Sequence, residues 1–265
     1  MEFHSQSDFE IGNFMYFLRM LVVVSTLIWM GCAGTIKDDD NYDAQFEEAL
    51  RLLEKEKFIS AQDILNRLSI RASHTDIGDN IQYKLGESYF FNEEYQLAII
   101  EYNKLVRRME FSPLVEQARW RICECYVAMS PKYYLEQISS EKAIEKIQEF
   151  LEDYPFSEQK ISANNTVQEM RNKLGEKAYE TGILYIKLGA YDSAILAFEQ
   201  MLENYYDTEY VSEAHLGIIR SYSAMEKVDK VEKYYKSYKH VFPEDTAQKA
   251  NEIINDLKKR MLKKG

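Results

Sequence analysis

The sequence predicts an all-α protein, an α-solenoid of about five helix pairs, and three observations predict it. Gly and Pro number only 10 and 4 among 265 residues. Together they make about 5% of the chain, against roughly 12% in average usage. Turns between strands draw on those two residues, so the scarcity argues against all-β folds and doubly wound sheets. A small or branched residue recurs at Ala61, Ala98, Ala143, Ala194 and Val231, at spacings of 37, 45, 51 and 37, the range of stacked supersecondary units. Hydrophobic residues make up 46% of the chain, with 20 Tyr and 13 Phe, enough for a sizeable core rather than a disordered chain. A net charge of −11 and a pI near 5.0 lack the basic stripe of a nucleic-acid binder.

Residues 1–31 read as a signal peptide of lipoprotein type. From Met20 to Met30 the chain is almost wholly apolar, preceded by Arg19 and followed by Gly31-Cys32-Ala33-Gly34. A helix of that length rises about 16 Å, short of the ~30 Å of a bilayer core, so a cleaved signal is expected. The cysteine after the apolar run resembles a bacterial lipobox, which makes Cys32 the expected lipid-attachment site and mature N-terminus. Trp29 and Met30 depart from the Leu and small residue of that pattern. Glu2, Asp8 and Glu10 precede the signal, as they would if translation began at Met15. The alternative is an uncleaved anchor helix from about Ile11 to Gly34. Residues 32–41, with Asp38, Asp39 and Asp40, form an expected solvated tether.

Residues 42–112 hold repeats one and two. The clearest unit runs Leu85-Gly86 to Tyr89, then Tyr95, Ala98 and Tyr102, ending near Pro113. This resembles the tetratricopeptide repeat, two antiparallel helices whose backbones cross where Gly86 and Ala98 leave room. Tyr89 and Tyr102 are expected in the wedge between units, and a proline to stop the second helix. Residues 113–156 hold repeat three, with an insertion near Ser130-Pro131-Lys132-Tyr133-Tyr134 between its helices. Residues 157–245 hold repeats four and five. The proline-free stretch from Glu158 to Lys187 reads as one long helix or two end to end. In the last unit Ile219 and Val231 are too large for a close crossing, so its helices should splay. Residues 246–265 form a C-terminal basic helix with Lys258, Lys259, Arg260, Lys263 and Lys264.

Ser130-Pro131, Leu135-Glu136-Gln137, Ala143-Ile144, Gln148, Phe150-Leu151, Tyr154-Pro155 and Ser157 resemble the third repeat of the BamD family of outer-membrane assembly lipoproteins. Leu188-Gly189-Ala190-Tyr191, Met201-Leu202, Tyr205 and Asp207-Thr208 continue the likeness, which covers about residues 42–245. Tyr206 replaces the family's proline after repeat four, which weakens that helix stop. Ala197 stands where proteobacterial members carry a basic residue, so a contact needing that charge does not carry over. The resemblance implies a non-enzymatic scaffold at the periplasmic face of the outer membrane. It would hold unfolded barrel precursors and dock on the periplasmic domains of a BamA-like insertase, with other lipoprotein subunits as further partners and no cofactor.

The residues offer little catalysis. Gly-rich phosphate loops, zinc-protease helices and nucleophile elbows are missing from the sequence. His4, His74, His215 and His240 are scattered, and Cys123 and Cys125 point some 200° apart on one helix, as small buried residues would. Binding has more behind it. Three residues before each small slot of the first helices stand Phe46, Tyr83, Trp120, Tyr179 and Leu216. Tyr83, Glu87 and Phe90 share one helix face. Phe46, Tyr83, Phe90 and Trp120 are therefore the expected peptide-binding groove, since aromatics cover area at little entropic cost. Core packing of the same rings is the bland alternative. A general periplasmic adapter and a glycan-binding uptake lipoprotein are the competing functions, the latter lacking the long loops it would need.

Overall fold

The computed structural model describes residues 41–264, so the expected signal peptide, Cys32 and most of the expected tether lie outside the described residues. Eleven α-helices and one short 3-10 turn follow, with no strand among the described residues. Helices α1 (Tyr42–Glu54) and α2 (Phe58–Arg71) form the first hairpin, α3 (Gly78–Phe91) and α4 (Tyr95–Arg108) the second, α5 (Val115–Ala128) and α6 (Ile138–Asp153) the third. Helix α7 (Lys160–Lys187) packs on α6 and pairs with α8 (Tyr191–Asn204). Helices α9 (Val211–Ala224), α10 (Val228–Tyr238) and α11 (Glu244–Lys264) complete the chain. From α2 to α10 each helix packs chiefly on its neighbours in sequence, the arrangement of a tetratricopeptide-type solenoid. No helix among the described residues is long and apolar enough to cross a membrane.

The small-residue slots work through single rings. A Cβ on Gly86 would lie 2.5 Å from the Tyr102 ring, and one on Gly182 would lie 2.4 Å from the Phe198 ring. Gly217, on α9 of the following hairpin, touches the opposite edge of Phe198, where a Cβ would come within 2.5 Å. Tyr102 and Phe198 are both fully buried. Ile219 and Val231 are also fully buried, but α9 packs more on α11 than on the short α10. The terminal helix thus covers the last unit with Ala250, Ile254 and Leu257.

Two kinds of turn alternate. Within hairpins, Glu56, Glu93, Gly189 and Glu226 take positive φ (56°, 62°, 74° and 57°). Each sits in a double hydrogen-bonded stop, as where Glu93 N–H donates to Phe90 O and Glu94 N–H to Tyr89 O. Only one of the four is glycine, the residue that conformation favours. Between hairpins, a hydroxyl holds the corner. Thr75 and Thr208 donate back to Ala72 O (2.7 Å) and Tyr205 O (2.8 Å), while Ser112 and Ser157 accept from Leu114 N–H (3.1 Å) and Gln159 N–H (3.2 Å).

Helix α8 ends cleanly without the expected proline. Arg171 on α7 bonds both carboxylate oxygens of Asp207 and the carbonyl of Asn204 (3.0 Å). The side chain therefore supplies the stop that Tyr206 does not. The segment between α5 and α6 folds around buried Gln137, whose amide donates to Lys132 O (2.8 Å), Leu135 O (3.1 Å) and Tyr133 O (3.2 Å). Helix α7 latches it through Lys173 to Ser130 Oγ (2.7 Å) and Lys177 to Leu135 O (3.0 Å).

Candidate functional site

A concavity of about 810 Å³ lies between α3, α5 and the linker that joins α6 to α7. Helix α5 supplies Glu116, Gln117, Trp120, Arg121 and Glu124 along one face; Tyr83 comes from α3, Pro113 from the preceding corner, and residues 153–159 close the far side. Helical spacing explains the α5 set: positions 116, 120 and 124 lie one above another on a helix, as do 117, 121 and 124.

Two of the four expected groove residues meet here. Trp120 packs its ring on Phe150 of α6 at 5.4 Å and keeps one edge on the concavity. Tyr83 lines it too, but only 9% of its surface is exposed and its ring packs on Tyr102 at 5.6 Å. Burial pushes the Tyr83 hydroxyl up from its ordinary value, partly countered by its hydrogen bond with Arg121. Phe90 and Phe46 do not line this concavity. The Arg121 guanidinium lies 5.0 Å from the Phe90 ring centre and 5.6 Å from that of Phe91, so a cation roofs the ring expected to be an apolar wall.

A polar ladder crosses from α3 to α5. Lys84 pairs with Glu87 (2.7 Å), Glu87 with Arg121 (3.1 Å) and Arg121 with Glu124 (2.9 Å). Glu87 is itself buried, and such a carboxylate needs those partners. On the opposite wall Asp153 is held by Arg119, which does not itself line the concavity and lies 5.9 Å from the Tyr154 ring.

The linker residues Tyr154 and Phe156 were missed as site residues by sequence reasoning, which used this stretch for a helix stop and for the family resemblance. Phe156 is 97% exposed. A bare phenylalanine in a Pro-Phe-Ser corner was the available signal, since corners are normally polar. Phe111 occupies the equivalent corner one repeat earlier and is 94% exposed.

The other chemistry-bearing residues fall elsewhere. Cys123 and Cys125 are buried, and burial pushes both thiols up to about 12, which keeps them protonated and poorly nucleophilic. His215 is buried, with its Nδ1 2.8 Å from Tyr234 Oη and its ring 4.6 Å from that of Tyr238. No group of three or more His, Cys, Asp or Glu among the described residues could hold a metal ion.

A stack of helix hairpins with an open aromatic concavity defines a repeat protein of the tetratricopeptide class. The chain belongs to the YfiO family of outer membrane lipoproteins, whose family model matches residues 38–238. It is 19% identical over 198 residues to the outer membrane protein assembly factor BamD of Caulobacter vibrioides, covering 72% of this chain. The match spans 65% of that curated relative's length. Among solved structures it is similar to a tetratricopeptide repeat protein of Parabacteroides merdae: 19% identity, 83% of this chain and 73% of that one, TM-score 0.35. It is also similar to the TPR2AB domain of yeast Sti1 in its pHSP90 complex: 14% identity, 82% of this chain and 98% of that one, TM-score 0.41.

Proposed function

We propose that this protein is a non-enzymatic scaffold of outer-membrane β-barrel assembly that holds unfolded barrel precursors. Fatty acyl chains on Cys32 tether it to the periplasmic leaflet of the outer membrane. Extended, aromatic-bearing segments of precursors seat in the concavity walled by Tyr83, Trp120, Tyr154 and Phe156. The long helix α7 and the later repeats dock on the periplasmic domains of a BamA-like insertase.

The observation that carries the reading is that aromatic-walled concavity on a chain of the YfiO family. Its size suits one or two large side chains of an extended segment. The name of the Caulobacter relative, an assembly factor, supports the same role.

Two experiments test it. Binding of a fluorescent peptide from a barrel precursor is measured by anisotropy against the full chain, Phe156→Ala and Trp120→Phe. Weaker binding by the variants with unchanged helical circular dichroism is expected, and equal affinity removes the concavity from the account. Affinity purification from detergent-solubilised membranes should recover a barrel protein with attached periplasmic domains. Its absence would count against the docking role.

A further inference from the structure

The walls of the concavity are aromatic, but its rim is acidic. Glu116, Glu124, Asp153 and Glu158 all line it. Two guanidiniums stand near them, and both are already engaged: Arg121 by Glu87 and Glu124, Arg119 by Asp153. Glu116 and Glu158 have no ion-pair partner among the described residues, and they face the concavity from different elements, the first turn of α5 and the α6–α7 linker. With the Lys160 ammonium on the carbonyl of Pro155 (3.1 Å), four carboxylates still outnumber three cations around Trp120 and Tyr154. Aromatic faces and carboxylates attract the same kind of guest, a cation on an apolar stem. A free carboxylate in the same place would meet like charge on both sides.

Resting on the reading that the concavity holds peptide, we infer that its occupant is an extended segment bearing a Lys or Arg side chain beside an aromatic residue, with the basic group seated between Glu116 and Glu158. This makes the site a basic-aromatic reader, selective against acidic segments and against a bare chain terminus.

The test uses the full chain and three fluorescent peptides identical except at one position beside an aromatic residue: Lys, Gln or Glu. Each peptide is amidated, with a free-acid Gln version as a fourth probe. The Lys peptide should bind about fivefold more tightly than the Gln peptide, the scale of partly exposed ion pairs, and the Glu and free-acid peptides more weakly than Gln. Added salt should shrink the Lys advantage. The variant carrying Glu116→Gln and Glu158→Gln should abolish it, whereas Glu203→Gln with Glu244→Gln, exposed acids elsewhere, should keep it. Equal binding of Lys and Gln peptides, or a Lys advantage that survives the rim variant, overturns the inference while peptide holding stands. If no peptide binds at all, the holding role fails and this inference falls with it.

Discussion

Substituting Gly182 by Ala tests the packing rule on which the array depends. In an exposed helix that change stabilises by about 1 kcal/mol through helix propensity. Here the added Cβ would sit 2.4 Å from Phe198 Cε1 and 2.6 Å from two further ring atoms, about 1 Å inside ordinary contact distance. The ring cannot swing away, because Gly217 presses on its other edge and Phe198 is fully buried. Overpacking of that kind costs about 1–3 kcal/mol, occasionally more, so the sign reverses and a net loss of about 1–2 kcal/mol is expected. Urea unfolding followed by far-ultraviolet circular dichroism measures it. Phe198→Leu should be destabilising alone but should recover part of the loss in the Gly182→Ala background, giving a coupling energy in the double-mutant cycle. A Gly182→Ala variant as stable as the parent, or more stable, would refute the claim that one ring wedges two backbones at this crossing.

The remaining predictions concern turns, protons and the clamp. Glu56→Gly, Glu93→Gly and Glu226→Gly should each leave stability unchanged or raise it by up to about 1 kcal/mol, because relief of the left-handed strain competes with added freedom in the unfolded chain; thermal unfolding reads this, and a clear loss would contradict it. Burial, with His240 as a lesser repulsive neighbour, holds the His215 imidazole down at about 4. The folded value lies below the unfolded one, so the unfolded chain takes up the extra proton between about pH 6.5 and 4 and stability falls as pH drops through that window. The loss from this group should reach on the order of 2 kcal/mol by pH 5, and His215→Phe should flatten the profile there. Arg171→Ala should destabilise by about 1–2 kcal/mol, with amide exchange rising first around Asn204 to Thr208 and not around Ala72 to Gly78.

How far the sequence could be read follows from which contacts are local. The small slot at Gly86 is legible because the pattern recurs along the chain, but the sequence pairs it with Ala98, whereas the structure sets it against the Tyr102 ring of the same hairpin. Trp120 is expected on the concave side from its register with Tyr83, and it lines the concavity. Tyr83 was expected on an open wall, yet its ring is drawn into the core by Tyr102, which a helical wheel of α3 alone does not show. The roof over Phe90 is invisible in sequence, since Arg121 lies 31 residues on and reaches α3 only through the angle at which α5 stacks. The Arg171 clamp is hidden likewise: a missing proline was legible, but its replacement sits on a different helix. Phe156 was readable in principle, as an apolar side chain in a corner where nothing local could bury it.

Helix α7 is 28 residues long, about 42 Å of unbroken rod. Its first half is seated on α6 and its second half on α8, so one rigid strut belongs to the units on either side. Its leading end adjoins the corner bearing Tyr154 and Phe156. A displacement of the trailing repeats is therefore conveyed along a stiff rod to the corner that walls the concavity.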